Sequence, residues 1–294
     1  ITGPLYFQPN ANFNGSVSFN YTATDNGGAV SANTATATIV VNPVNDAPTL
    51  TGVVATFNYS EGSTPTVVRT VIDGSVVLAD IDSPNFGGGS VTVAIANVVA
   101  AEDLLGVRNQ GTADGQISVS GTTVSYNPIG AAGLVAIGTI AGGSGSAPLV
   151  VTLNSNASVA AVDALLQNIT YGNASQLPTT TTRNLTITVV DGDGTANGGA
   201  DTVSTNVNVN ITRVNDAPLF TALNGGVVNT TEGAAPVLLD ANATVNDPEL
   251  GSGFVGAINN MGGAVLTLAR VGGANAQDQF SASGGTLSLA AGNV

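Results

Sequence analysis

Val44-Asn45-Asp46-Ala47-Pro48 and Val214-Asn215-Asp216-Ala217-Pro218 are the same five residues, set 170 positions apart in a chain of 294. Each copy follows a run with strand character, residues 36–41 before the first and 207–212 before the second, and each precedes a fresh apolar start. A phrase that closes one strand series and opens another marks a domain junction. Proline fixes φ, lacks an N–H and pushes the preceding residue to extended geometry. The link is therefore short and stiff rather than floppy. Asn and Asp add side-chain oxygens where two domain ends meet, and oxygens converging in an acidic crevice are what a hard cation such as calcium requires. The same dipeptide can also be no more than an Asx-turn.

Outward from these phrases the chain reads as three pieces. Residues 1–47 look like the closing part of a β-domain: apolar residues alternate over 4–7 and 17–24, Asp25-Asn26-Gly27-Gly28 makes a turn, and alternation resumes to Val41. Residues 48–216 form one complete unit, with strands expected around 53–59, 91–96, 116–120, 123–126, 147–153, 184–190 and 202–211. One stretch breaks the β pattern. Ser158 stands at a plausible N-cap, and Val162, Leu165, Leu166 and Ile169 share a helical face, which predicts a short helix over 158–167 covering one end of a sandwich. Residues 217–294 restart the unit: Thr231-Glu232-Gly233 matches Ser60-Glu61-Gly62, residues 239–249 match the Asp80/Asp82 region, and 280–289 match 117–126. The chain thus reads as a window on a longer repeat array, and its expected class is all-β, with tandem Ig-like sandwiches and a short helix inserted in the central one.

Composition narrows the function. There are 38 Gly, only 8% of residues are charged, and the net charge is −14; the basic residues are five Arg, with no Lys. Nucleic acid and anionic membranes are poor partners for such a surface, and divalent cations are good ones. Without Cys there is no disulfide framework or thiolate metal site, and without His the commonest catalytic base is gone. A Ser nucleophile would have neither His nor Lys as base. Paired carboxylates could serve glycoside hydrolysis, but no Trp and only 5 Tyr are present to make sugar platforms. No apolar run of about 18 residues spans a bilayer, and no signal peptide opens the sequence.

Several acids recur in matching context. Asp80 and Asp82 are spaced by two, so on an extended chain they face one way, and two carboxylates held together repel unless a cation lies between them; a solvated loop is the plainer reading. Asp191-Gly192-Asp193-Gly194 is a hairpin turn or, since Asp191 matches Asp25, a source of one further ligand, with Asp193 left open. Asp73, Asp103, Asp114, Asp163 and Asp278 have no repeated context and are expected at the surface.

With these residues in view, Val-Asn-Asp-Ala-Pro resembles the inter-domain linker of cadherins and of cadherin-like tandem repeats in large bacterial surface proteins and adhesins. By that resemblance Glu61 and Glu232 stand for the early glutamate, Asp80 and Asp82 for the D-x-D of the B–C loop, and Asp25 and Asp191 for the aspartate between the last two strands. The sequence departs from the family in lacking a second Asn after Asp46 and Asp216, in having Asp247-Pro248-Glu249 where D-x-D is expected, and in its length and helix. The resemblance implies calcium (Ca2+) at each junction, held by Asn45, Asp46, Asp80, Asp82 and Asp191 at the first and by Glu61, Asn215, Asp216, Asp247 and Glu249 at the second. It implies a non-enzymatic, extracellular, calcium-stiffened rod of an adhesin, surface layer or filament. Its partners would be neighbouring repeats and identical copies. A glycan-binding module and a self-assembling fibre or sheath subunit are the alternatives.

Overall fold

The computed structural model describes residues 4–63, 66–131, 133–222, 227–240, 244–249, 265–268 and 271–273. The chain divides into two compact units, Ile1–Glu61 with Thr66–Arg213, and Gly62–Pro65 with Val214–Val294. The boundary at Arg213 coincides with the second Val-Asn-Asp-Ala-Pro, whereas the first copy lies inside the larger unit.

The first unit opens with an antiparallel hairpin, β1 (Gly15–Tyr21) and β2 (Ala35–Val41). Its two faces are chemically distinct, as the two-residue period of a strand requires. Val17, Phe19 and Tyr21 lie opposite Ile39, Ala37 and Ala35 on one face; on the other, Ser18 bonds Thr38 at 2.9 Å and Thr36 donates to Asn20 at 2.7 Å. Residues 4–7, expected to alternate as a strand, lie outside any ladder, although the Phe7 ring still packs on Phe19 with centroids 5.5 Å apart.

Beyond the linker come β3 (Thr49–Thr51), β4 (Thr56–Ser60), β5 (Arg69–Val71), β6 (Val77–Ala79), β7 (Ser90–Ile95), β8 (Asp103–Val107), β9 (Ile117–Ser120), β10 (Thr123–Tyr126), β11 (Val135–Ala141) and β12 (Leu149–Leu153). Helix α1 (Val159–Leu166), β13 (Ile169–Asn173), β14 (Arg183–Val190) and β15 (Thr202–Thr212) complete the unit. One eight-stranded sheet runs β4-β15-β14-β7-β12-β11-β10-β9, with β4 parallel to β15 and every other pair antiparallel. Facing it are a three-stranded sheet, β5-β13-β8, and the short pair β3-β6. Val91, Val93, Leu149, Val151, Leu185, Val189, Val207 and Val209 from the large sheet meet Leu105, Ile169, Tyr171 and Leu78 from the other layer in a single buried cluster, the arrangement of a β-sandwich.

The expected helix is present. Ser158 adopts extended geometry and its Oγ accepts the Ala161 N–H at 3.3 Å, satisfying one of the orphan donors of the first turn. Ala161, Val162, Leu165 and Leu166 are buried. Ile169 is buried too, but as the first residue of β13. The helix is fixed against β6 from its polar side, where Asp163 accepts the Leu78 N–H at 2.7 Å and Gln167 donates to the Val76 carbonyl at 3.0 Å.

In the second unit the described strands are β16 (Leu219–Thr221) and β17 (Thr244–Asn246), paired antiparallel. They repeat the β3–β6 pair of the first unit, and each pair starts directly after a Val-Asn-Asp-Ala-Pro. The expected strand over 280–289 and Asp278 lie outside the described residues.

Candidate metal centre

Residues 42–48 link β2 to β3 without regular secondary structure, with Pro43 and Pro48 supplying no N–H and Pro48 buried. The Asn45 amide donates to Asp191 Oδ2 at 3.0 Å and to the Ala200 carbonyl at 2.7 Å, and the Asn45 carbonyl accepts the Ala200 N–H at 2.9 Å. This clamp requires Gly199: a Cβ there would stand 2.9 Å from the Asn45 carbonyl oxygen and 3.0 Å from its nitrogen. Asp46 N–H points to the Asp82 carboxylate at 3.2 Å and 3.4 Å.

Asp80 and Asp82 do not share one edge of an extended strand, as their spacing suggested. The chain bends after β6, because Asp80 Oδ1 accepts the N–H groups of Asp82 (3.1 Å) and Ser83 (2.9 Å) in an Asx-type turn. The other oxygen, Asp80 Oδ2, is buried without a hydrogen-bond partner. Asp191 is fully buried between β14 and β15; its Oδ1 accepts the Asp193 N–H at 2.8 Å, and Asp193 Oδ2 accepts the Ser83 hydroxyl at 2.6 Å. The loop carrying these acids turns through Gly192 and Gly194, at φ +94° and +82°. It packs so closely on residues 87–89 that a Cβ on Gly192 would lie 2.5 Å from the Gly89 nitrogen.

Asn45, Asp46, Asp80, Asp82 and Asp191 thus come together, joined by Ser83 and Asp193, which the sequence reading had left aside or open. Burial pushes the Asp191 carboxyl above the usual carboxylate range. The Asp193 and Asn45 donors pull it back, and the charges on Asp80 and Asp193 push it up again. Carboxylate and amide oxygens are the donor type that calcium takes, and one of them, Asp80 Oδ2, is buried without a partner. Among the described residues, however, no group of three or more His, Cys, Asp or Glu side chains is drawn together as a metal-holding set; backbone N–H groups and a hydroxyl occupy much of the carboxylate surface.

The remaining candidates are more dispersed. In the second unit Asp216, Asp247 and Glu249 are buried, and Glu249 N–H donates to Asp247 Oδ1 at 3.1 Å. Burial, followed by the adjoining Asp247 and the charge of Asp216, raises the Glu249 carboxyl. Asn215 turns its amide to the carbonyl of Asp216 at 3.0 Å. Glu61, in the first unit, is buried, with its N–H on the Thr212 carbonyl. Glu232 sits exposed on a turn. Asp25 Oδ1 accepts the N–H groups of Gly27 and Ala29, both at 2.9 Å, capping its own exposed hairpin turn.

Four acids expected at the surface prove structural. Asp73 is buried and accepts from Val54 N, Ser75 N and Ser75 Oγ at 2.7–2.8 Å; Asp163 fixes the helix as above; Asp114 accepts from Asn127 and Gly130. Asp103 belongs to a network the sequence did not disclose. Arg183, wholly buried at the start of β14, donates from Nε to Asp103 Oδ2 at 2.7 Å and from Nη2 to Glu102 at 3.2 Å. Tyr171 donates to Asp103 Oδ1 at 2.6 Å, and burial holds its phenol protonated far above the usual range. Tyr59 stands edge-on to Tyr171, 5.0 Å between centroids, and accepts the Asn173 N–H. This ion pair ties the large sheet to the three-stranded one. The available signal was the rarity of Arg, since a lone cation at a strand end must find its counter-charge elsewhere.

Residues 2–42, the segment ending in β1 and β2, match a family model described as a bacterial Ig domain. No curated protein and no solved structure matches the chain. The match supports a bacterial Ig-like repeat in that segment, consistent with the all-β fold, and is not specific to the cadherin-like branch.

Proposed function

We propose that this chain is a structural segment of a bacterial cell-surface protein, a run of Ig-like repeats whose first junction is stiffened by calcium. The observation that carries the reading is the cluster of Asn45, Asp46, Asp80, Asp82, Asp191 and Asp193, in which Asp80 Oδ2 is buried without a donor and the Asp191 carboxyl is raised by burial and, less, by the charges of Asp80 and Asp193. A bound calcium ion would supply the positive charge that this set of oxygens lacks. To hold it, Asp80, Asp82 and Asp191 would turn toward one point from their present hydrogen bonds, while Asn45 and Asp46 tether the linker to Asp191 and Asp82. The cadherin-like assignment, the extracellular location, a second ion among Asp216, Asp247 and Glu249, and assembly with neighbouring repeats belong to the same proposal. No catalytic role is proposed. Supporting the modular reading, the β3–β6 pairing recurs as β16–β17 after the second linker phrase. Calorimetric titration of calcium into chelator-stripped protein tests it: saturable binding that Asp82→Asn weakens is expected, and the absence of any heat of binding at millimolar calcium would refute it.

A further inference from the structure

Two of the five arginines in this acidic chain lie along one face of the three-stranded sheet, away from the core. In β8 the side chains of Asp103 and Leu105 go inward, so Leu104, Gly106 and the following Arg108 face outward. The Arg69 guanidinium lies over Gly106, where a Cβ would stand 2.9 Å from its Nη1 and 3.4 Å from Thr170 Oγ1. Thr170 is buried there, and its hydroxyl has no hydrogen-bond partner.

Next to this face is a groove of about 480 Å³ lined by Val71, Arg108, Gln110, Gln167 and Asn168, with Gly74 and Gly115 leaving it open. That volume is within the range of small-molecule sites, about 300–1,000 Å³. Arg108 is held in one orientation. Its Nε donates to Asn168 Oδ1 at 2.7 Å and its N–H to the Asn168 carbonyl at 2.8 Å, while the buried Asn168 amide is anchored on the Ala164 carbonyl and Gln110 Oε1. Nε is spent, while among the described residues no hydrogen bond engages the two Nη groups of this exposed side chain. Gln110 accepts through Oε1 and keeps its NH2 free, whereas Gln167 donates through Nε2 to Val76 and Asp163 and keeps its carbonyl free. Asp163 is turned to Leu78 and Gln167. The groove therefore offers a fixed guanidinium fork, an amide donor and an amide acceptor, with no aromatic wall.

We propose that this groove binds an acidic saccharide. A carboxylate matches the two Nη groups, a neighbouring hydroxyl can both donate to Gln167 and accept from Gln110, and a uronic acid carries both groups on one ring. A peptide would ask for apolar side-chain pockets that the lining does not provide. The site is independent of the calcium cluster. The test is titration of the full chain with digalacturonic acid, a neutral disaccharide and a short acidic peptide, each with and without chelator. Saturable binding of digalacturonic acid alone, at about millimolar concentration, is expected. Arg108→Gln should weaken it about tenfold or more, and Gln110→Glu should do the same by repulsion, with both variants still folded by near-ultraviolet dichroism; Arg108→Gln also loses some thermal stability, because the buried Asn168 Oδ1 loses its donor. Equal binding of the neutral disaccharide, tighter binding of the peptide, no binding, or affinity indifferent to both substitutions would overturn the proposal.

Discussion

Replacing Arg183 by Met tests the internal brace of the sandwich. Arg183 and Asp103 are both buried, their ion pair is 2.7 Å long, and it joins β14 to β8 across the core. Removing one partner of a buried pair strands the other charge in a poorly hydrated site, which costs about 3–5 kcal/mol. Here Asp103 keeps two donors, Tyr171 OH at 2.6 Å and Val99 N at 2.7 Å, and Glu102 keeps the Thr179 N–H and hydroxyl. The loss should therefore fall near the lower end, about 3 kcal/mol. For a unit of this size that lowers the melting temperature by about 6–12 °C. Differential scanning calorimetry reads the shift, and denaturant melts give the free energy. The double variant Arg183→Met with Asp103→Leu should recover at least about 1 kcal/mol relative to Arg183→Met alone, because the stranded charge is gone. A single variant within about 1 kcal/mol of the parent, or strictly additive effects, would refute the reasoning.

Other substitutions probe the elements around the site. Ser158→Ala should cost about 1 kcal/mol, measured by thermal melt, through the lost N-cap. Gly199→Ala should displace Asn45 from the Ala200 clamp and weaken calcium binding in titration, with the core cluster intact by near-ultraviolet dichroism. At Asp73 burial favours the neutral acid, but donors from Val54 and Ser75 outweigh it and hold the carboxyl below its usual value. A depressed folded pKa gives stability that is present above the unfolded value of about 3.9 and lost as pH falls through the folded one. Asp73→Asn should therefore be less stable than the parent at pH 7, and the gap should close as the pH drops below about 4 in a stability–pH series.

The parts legible in the sequence were those with a local period or a repeated phrase. Alternation located β1, β2, β7, β14 and β15, and capping plus a helical face located α1 to within a residue or two. The three-stranded sheet was not legible. All of β13 is buried, because the core covers Tyr171 while Arg69 packs onto Gly172 from outside, so no alternation survives. The buried acids hid for a related reason: Asp73 is satisfied by Val54 and Asp103 by Arg183, 19 and 80 residues away. Asn45 and Asp46 stood out because their phrase occurs twice, whereas Ser83 and Asp193 join the network through a turn geometry that spacing alone does not encode. The bend after Asp80 overturned the expected extended D-x-D for the same reason.

The most direct measurement is a set of four melting curves, the parent and Asp80→Asn, each in calcium and in chelator. Asp80 Oδ1 accepts two N–H bonds that Asn preserves, Oδ2 is buried without a donor, and the residue's charge acts on Asp191. In chelator, Asp80→Asn should melt at or above the parent, since it removes a repulsion with Asp191. In calcium the order should reverse. With a dissociation constant near 10⁻⁴ M, within the range of extracellular modules, calcium at about 10 mM adds about 2.7 kcal/mol to the parent. That raises its melting temperature by about 5–10 °C, and the variant should gain little of it. Parent curves that superimpose in calcium and chelator would contradict a metal at this junction.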